Sequence, residues 1–347
     1  MTREIDFRYT VMRNAADYIE LYPAENGAAS LRMEQDAEIK TSLSGSFIQD
    51  ERFDPLRDEI RAEMILDGVT YPLGVFSVAE CRKLRSETEA TMQIEGFDRC
   101  WRVRDTCTES LLHLAAGTGY LDAVEQLLTG AGIAIIVRTP NSATLAEARE
   151  DWPTGTSYLT IINDLLSEIN YKQLWFDSTG AAVLEPVSVP SAANIMHTLS
   201  DEDVRSLMLP ELESVTDIYS APNAFLVICS NADKANPMTA RAENSNPQSP
   251  LSIPRRGRRI MKVVKVNNIA DQNALQDYAN RLRNESMFTG ETISLRTALL
   301  PGYGVADVVA LRIGELLTIC IESAWTMELT VGGTMEHTLE RVVVNIG

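Results

Sequence analysis

Three histidines, His113, His197 and His337, are the side chains best suited to acid–base or metal chemistry, and they stand 84 and 140 residues apart. Zinc ligands come in local pairs, two residues or one helical turn apart. None of the three has a second His or Cys at such a spacing, so no metal site is expected. A Ser-His-Asp triad needs its members to meet only in space, yet there is no Gly-x-Ser-x-Gly elbow from which to start one. His113 is expected in a core or at a helix end. Glycoside hydrolysis needs two carboxyl groups roughly 5 to 10 Å apart. Among 49 acids, Asp151 before Trp152 and Asp177 after Trp175 and Phe176 are acid-beside-aromatic settings of the kind sugar sites use. The better reading assigns these aromatics to a loop and a hairpin packing on a helix over 158–169. The Gly-containing AGTGY lacks both the GxGxxG spacing and a GK[ST] ending, so no phosphate loop is supported. Catalytic residues, cofactor and metal are therefore all expected to be absent, and the chain is not expected to be an enzyme.

Composition narrows the classes further. The chain has 347 residues, is 45% hydrophobic and carries a net charge of −18. That is length enough for two or three domains with ordinary cores. A strongly acidic chain does not suit neutralisation of nucleic-acid phosphates. The one basic cluster is PRRGRR at 254–259, behind an Asn/Pro/Ser-rich stretch. Its Arg255, Arg256, Arg258 and Arg259 are candidate protein-interaction residues: without them the chain carries −22, so an acidic surface of a like subunit or a neighbouring protein is a plausible mate. The N-terminal MTREIDFRYTVMR has no apolar h-region, and purely apolar runs such as Ile133 to Val137 are far short of the roughly 20 residues of a membrane helix. Neither a secretory signal nor a membrane span is expected. Cys81, Cys100, Cys107, Cys229 and Cys320 form no CxxC pair, and reduced thiols in a cytoplasmic product are expected.

The elements that would position these residues follow from periodicity. Over 1–95 the apolar and polar residues near-alternate in IDFRYTVM, SLRMEQ, AEIKTSLSGSFI, EIRAEMIL, YPLGVFSVAECRKL and TEATMQIEGF, with a hairpin signal in DGVTYPLG. This is a first β-rich domain, a sandwich or barrel. Over 96–185 the spacing predicts a small α/β insert. Its parts are a helical pair over LLHLAAGTGYLDAVEQLLTGAGI, a buried strand IAIIV, a helix with Tyr158, Ile161, Ile162, Leu165, Leu166 and Ile169 on one face, and a hairpin of YKQLWF and AAVLEP about Asp177–Gly180. Over 186–347 a second β-rich domain is expected, with SVTDIYSAPNAFLVICS forming hairpins, a polar loop at 231–259 and a helix at 269–285. That helix would be capped by Asn268, with Leu275, Tyr278, Ala279 and Leu282 inward. The fold class is α+β: two β-rich, tube-like domains and a small α/β insert.

The stretch at 111–133 looks like an ankyrin repeat, but no copy lies 33 residues to either side, around Val78 or Ala146, and ankyrin units need stacked neighbours. Taken together, AGTGYLDAVEQLLTGAGI, DWPTGTSYLTIINDLLSEINYKQLWFDSTGAAVLEP, PRRGRRIMKVV and NALQDYANRLRNES resemble the baseplate hub proteins of tailed phages and related contractile injection particles. The second segment is the most specific, and the resemblance covers about 100–347 well and 1–95 by its β character alone.

The resemblance implies a structural adaptor in the tail baseplate of a virion or injection particle, made in the host cytoplasm. It implies a homotrimer whose two tube-like domains per subunit make a ring of six similar units. Such a ring would contact a tail tube or tube initiator protein above, a central spike below and other baseplate proteins around it, with DNA only as cargo in the lumen. The chain departs from longer hubs in ending at NIG, with no appended lytic or carbohydrate-binding domain. The competing reading is a glycan-binding or glycan-hydrolysing tail protein.

Overall fold

A computed structural model describes residues 3–25, 27–85, 90–202, 207–216, 221–229, 238–266, 269–286 and 291–342. The chain opens with seven strands: β1 (Ile5–Arg13), β2 (Ala16–Leu21), β3 (Ala29–Glu34), β4 (Thr41–Ile48), β5 (Glu59–Leu66), β6 (Val69–Arg85) and β7 (Ala90–Phe97). Alternation sets their faces: β3 buries Ala29, Leu31 and Met33 while Arg32 points outward. The β5–β6 turn holds Asp67 and Gly68 at φ 50° and 79°, the double positive φ that matches the twist of a tight hairpin. The β1–β2 turn has the same signs at Asn14 and Ala15. It lacks a glycine, and β2 was accordingly not expected from the sequence.

The insert follows as α1 (Cys100–Asp105), α2 (Tyr120–Gly130), β8 (Ile136–Arg138), α3 (Tyr158–Glu168), β9 (Trp175–Phe176) and β10 (Ala182–Leu184). Ser157 caps α3 by accepting the Leu159 N–H, and Leu159, Ile161, Ile162, Leu165 and Leu166 are all buried. Each such side chain contributes about 1.5–3 kcal/mol by leaving water, before entropy is counted. Two expectations are corrected. LLHLA is not helical: Leu114 exchanges backbone hydrogen bonds with Arg149, so α2 stands without a partner helix ahead of it in the stretch. IAIIV is not a buried strand, since only three residues, Ile136–Arg138, pair with β10, and Ile135 and Val137 are exposed. The Asp177–Gly180 hairpin forms as expected, with Gly180 at φ 81°.

The last part contains β11 (His197–Ser200), β12 (Met208–Thr216), β13 (Ala224–Cys229), β14 (Met238–Glu243), α4 (Ile253–Arg256), β15 (Met261–Val266), α5 (Gln272–Glu285), β16 (Glu291–Ala298), β17 (Val308–Ile313), β18 (Leu316–Leu329) and β19 (Thr334–Val342). Three more expectations change. β12 and β13 do not form a hairpin, because β12 pairs with β16 whereas β13 sits between β14 and β15 in a separate three-stranded sheet. The expected polar loop is in its described part structured: 238–243 is a strand and 253–256 a short helix, while 231–237 lies outside the described residues. Asn268 also lies outside them, and Asp271 caps α5 by accepting the Ala274 N–H. The inward face of α5 is as expected, with Leu275 and Ala279 fully buried.

One sheet of thirteen strands runs through both β-rich stretches, in the path β12-β16-β19-β18-β3-β4-β7-β6-β5-β1-β2, with β17 and β11 branching from β18. The long strand β18 makes the junction: its first half pairs with β17 and its second half with β3. The sequence treats 1–95 and 186–347 as two domains; here they share one core in which Tyr9, Phe47 and Met64 are continuous with Leu295, Trp325 and Leu339. The insert keeps a core of its own, and so does the α5–β14–β13–β15 unit. Arg99 ties insert to sheet, pairing with Glu59 of β5 at 2.7 Å and donating to the Gly180 carbonyl at 2.9 Å. Burial alone would raise the Glu59 carboxyl, but the Arg99 hydrogen bond and the charges of Arg99 and Arg102 outweigh it and hold it below its ordinary value.

Candidate functional sites

The strands bring two of the three histidines into one buried cluster. His337 on β19 lies between Thr297 on β16 and Glu322 on β18, with Thr297 Oγ1 2.9 Å from Nε2 and Glu322 Oε2 3.0 Å from Nδ1. This is the connectivity of a hydroxyl–histidine–carboxylate triad. Its proton order is wrong for a nucleophile. The Thr297 hydroxyl donates to the Ala298 carbonyl at 2.7 Å, so toward His337 it accepts, and Nε2 carries a proton instead of taking one. Thr297 and Glu322 are both at 0% exposure and His337 at 1%, so no substrate reaches them. Burial pushes the Glu322 carboxyl up, against the opposing effect of its contact with His337. Its Oε1 has no hydrogen-bond partner among the described residues.

His197 joins the same region from β11. Its Nε2 meets Asp307 Oδ2 at 2.9 Å and its ring stacks on Tyr303 at 3.8 Å, while Tyr303 tilts against His337 at 5.1 Å. Asp307 also accepts the Gly304 N–H, which closes the turn ahead of β17. The cluster pins short β11 and the 303–307 turn to the core. No spacing in the sequence marks it, because its members meet through strand pairing across 15 to 110 residues.

The other candidates are apart from it and from one another in role. His113 is exposed and pairs with Glu150 at 2.8 Å, so it is in neither a core nor a helix. Asp151 pairs with Arg149, whose guanidinium lies over Trp152 at 4.7 Å and binds both oxygens of buried Glu168. Trp152 donates to Asp164 of α3 at 2.9 Å, which is the packing role expected of it. Asp177 accepts from the Thr179 and Ala181 N–H groups and the Thr179 hydroxyl, so it is spent on its turn. Among the described residues no group of three or more His, Cys, Asp or Glu could hold a metal ion, and none of the five cysteines is disulfide-bonded.

Around the basic cluster, Ser252 caps α4 and Gly257 ends it at φ 64°. Arg255 and Arg258 are exposed, Arg259 pairs with Glu243, and half-buried Arg256 donates to the Ala221 carbonyl at 2.6 Å. The segment is held from beneath by buried asparagines. Asn223 donates to the Leu251 and Arg258 carbonyls and accepts the Ile260 N–H, and Asn244 donates to Ser249 Oγ.

A cleft of about 850 Å³ opens between the insert, α5 and the main sheet, with Asn163, Lys172, Gln173, Trp175, Tyr278 and Arg281 on its walls. Its cations are engaged: Lys40 with two carbonyls and Gln173, Lys172 with Glu185, Arg281 over the Tyr278 ring at 4.5 Å. Trp175 Nε1 has no partner among the described residues, but it is shielded from solvent and so beyond the reach of an occupant of the cleft.

Among the described residues no helix is long and apolar enough to cross a membrane. No protein-family model and no curated protein matches the sequence. Solved structures do match the fold along nearly its whole length. A tail protein from Neisseria meningitidis MC58 is 13% identical with a TM-score of 0.67, over 96% of each chain. The 43 kDa tail protein of prophage MuSo2 from Shewanella oneidensis is 10% identical with a TM-score of 0.66, over 96% of this chain and 98% of that one. An Escherichia coli component of the type VI secretion system, described as structurally similar to the T4 bacteriophage tail proteins gp27 and gp5, is 9% identical with a TM-score of 0.51, over all of this chain and 78% of that one. The chain thus has the β-rich fold of these tail proteins, as the resemblance read from its sequence implied.

Proposed function

We propose that this chain is a structural component of a phage-tail or contractile-injection baseplate, acting as a hub. Three copies form a ring that presents a pseudo-sixfold face to a tail tube or tube initiator and a threefold face to a central spike. Other baseplate proteins pack around it in the virion, and DNA passes only as cargo. The observation that carries this reading is the match of fold over 96% of both chains with a tail protein. It is supported by the way the polar constellations are spent: the triad-like cluster is sealed, and the carboxylates beside the aromatics hold turns and helices in place. On this reading the hub has no enzymatic activity of its own. Light scattering on the size-fractionated protein tests the reading, the expected mass being three times the 38.4 kDa chain. Images of the particle should show a threefold ring with a central channel. A strict monomer alone and with its tail partners, or robust polysaccharide degradation lost on a single replacement at Asp151 or Asp177 without unfolding, would overturn it.

A further inference from the structure

The three-stranded sheet β14-β13-β15 has one face on α5, and among the described residues no helix or strand covers the other. Register assigns the faces. Val227, Ala240 and Val264 pair across the sheet and lie in the core beneath α5. On the opposite side Leu226 pairs with Arg241 and Val263, and Ile228 with Thr239 and Lys265. Leu226 and Ile228 are half-exposed on the central strand, and Val263 beside them is 51% exposed. An apolar central-strand face without a cover is unusual for a finished surface. The face carries two exposed cations, Arg241 and Lys265, beside these apolar residues, in a segment, 238–266, that holds seven cations against one acid.

The same chain carries a surface of opposite character. β12 ends the large sheet and is exposed along nearly its whole length on both faces, with Val215 at 54%. Exposed Leu209, Leu212 and Val215 are interleaved with Glu211 and Glu213, and the strand has no cation. Proline at 210 and the two glutamates discourage pairing of this edge with another neutral or acidic edge. They leave a basic apolar surface as the fitting mate.

We propose that the open face of β14-β13-β15 in one copy receives the outer face of β12 of a second copy of this chain, with Glu211 and Glu213 meeting Arg241 and Lys265 beside a contact between Val215, Leu226 and Val263. Two different patches of one chain joined in this way make a head-to-tail contact, and such contacts propagate to a closed ring when the rotation closes. The proposal rests on the ring reading above and names the surfaces that would close it.

The experiment is sedimentation velocity on the full chain, at low and high salt, with three variants. Arg241→Glu with Lys265→Glu reverses the face, Glu211→Lys with Glu213→Lys reverses the strand, and the fourfold variant reverses both. The wild type should self-associate, less tightly as salt rises. Each double variant should lose about tenfold or more in association, since like charges then face each other, while keeping the wild-type circular dichroism. The fourfold variant should recover association, which a merely misfolded surface would not do. Rings that form equally well in all four proteins, or double variants whose loss the fourfold variant does not repair, would overturn this interface and leave the ring reading standing. A wild type monomeric at every salt concentration, alone and with tail partners, would overturn both.

Discussion

Asp98 shows how much a single buried group carries. It sits where β7 runs into α1 and accepts the Cys100 and Thr41 N–H groups, each at 2.8 Å. Burial nevertheless outweighs those bonds and raises its carboxyl to about 6. The folded state therefore keeps a proton that the unfolded chain releases near pH 4. This contribution is full below that pH, falls as the pH rises and is lost above about 6, with a span on the order of 3 kcal/mol. Urea unfolding from pH 4 to 7 should show that decline, and Asp98→Asn should remove its share of the slope. The depressed carboxyls of Asp58 and Glu59 act in the other direction, losing their contribution only as pH falls below the ordinary carboxylate range. The His337 cluster gives a second test. His337→Ala strands Glu322 without its partner and should cost about 3–5 kcal/mol, whereas Thr297→Val removes the two hydrogen bonds of one hydroxyl and should cost about 1–2. Thermal or urea unfolding separates the two, and equal small losses would contradict the cluster's role in the core. None of this was legible from residue spacing, since Glu322, His337 and Thr297 are brought together by register alone.

At the scale of elements, what the sequence disclosed depended on whether a segment's partners are local. The 158–169 helix was legible because its apolar stripe, serine cap and turn all lie within about a dozen residues, and the inward face of α5 was legible for the same reason. LLHLA misled because its backbone partners are at Arg149, which no local pattern announces. The 238–260 segment misled through composition: its Asn and Ser residues look like solvated loop, yet Asn223, Asn244, Ser249 and Ser252 are all at 0% exposure and spend their polar groups on backbone or on each other. The described part of this segment is therefore expected to resist proteolysis. Trypsin should cut slowly after Arg258 and Arg259 in the folded protein. Asn223→Ala, which removes three side-chain hydrogen bonds, should lower stability by about 2 kcal/mol and turn these bonds into early cleavage sites. Equal digestion of variant and wild type would mean that the asparagine does not hold the segment.

At the scale of the molecule, the feature least available to sequence reading is the junction in which β18 pairs with β3, Leu329 opposite Ala29, 300 residues apart. β3 and the second half of β18 alternate, but alternation says which residues share a face and not which strands share a ladder. The junction matters for the last prediction, because it makes the two β-rich stretches one wall and thereby fixes which surfaces of three copies can turn toward a common axis. The chain carries −18 overall, and two cations of its one strongly basic stretch, 238–266, are placed above in a contact between copies. If that contact forms, Arg241 and Lys265 are consumed in it, and the excess of acid on the rest of the chain is left for the free walls. A polyanion passing through a channel slides when the lining repels it, whereas a basic ring would hold it by counterion release. The Debye length of about 8 Å at physiological salt weakens the repulsion in a wide channel without abolishing it close to the wall. The assembled ring is therefore expected to have a lumen of negative potential and to leave duplex DNA unretarded in a gel even at low salt. Opening the contact with Glu211→Lys and Glu213→Lys should expose both the basic face and two new lysines, and weak, salt-sensitive retardation should appear. A ring whose lumen is neutral or positive, with its acids on the outer wall, would refute the acid-lined channel.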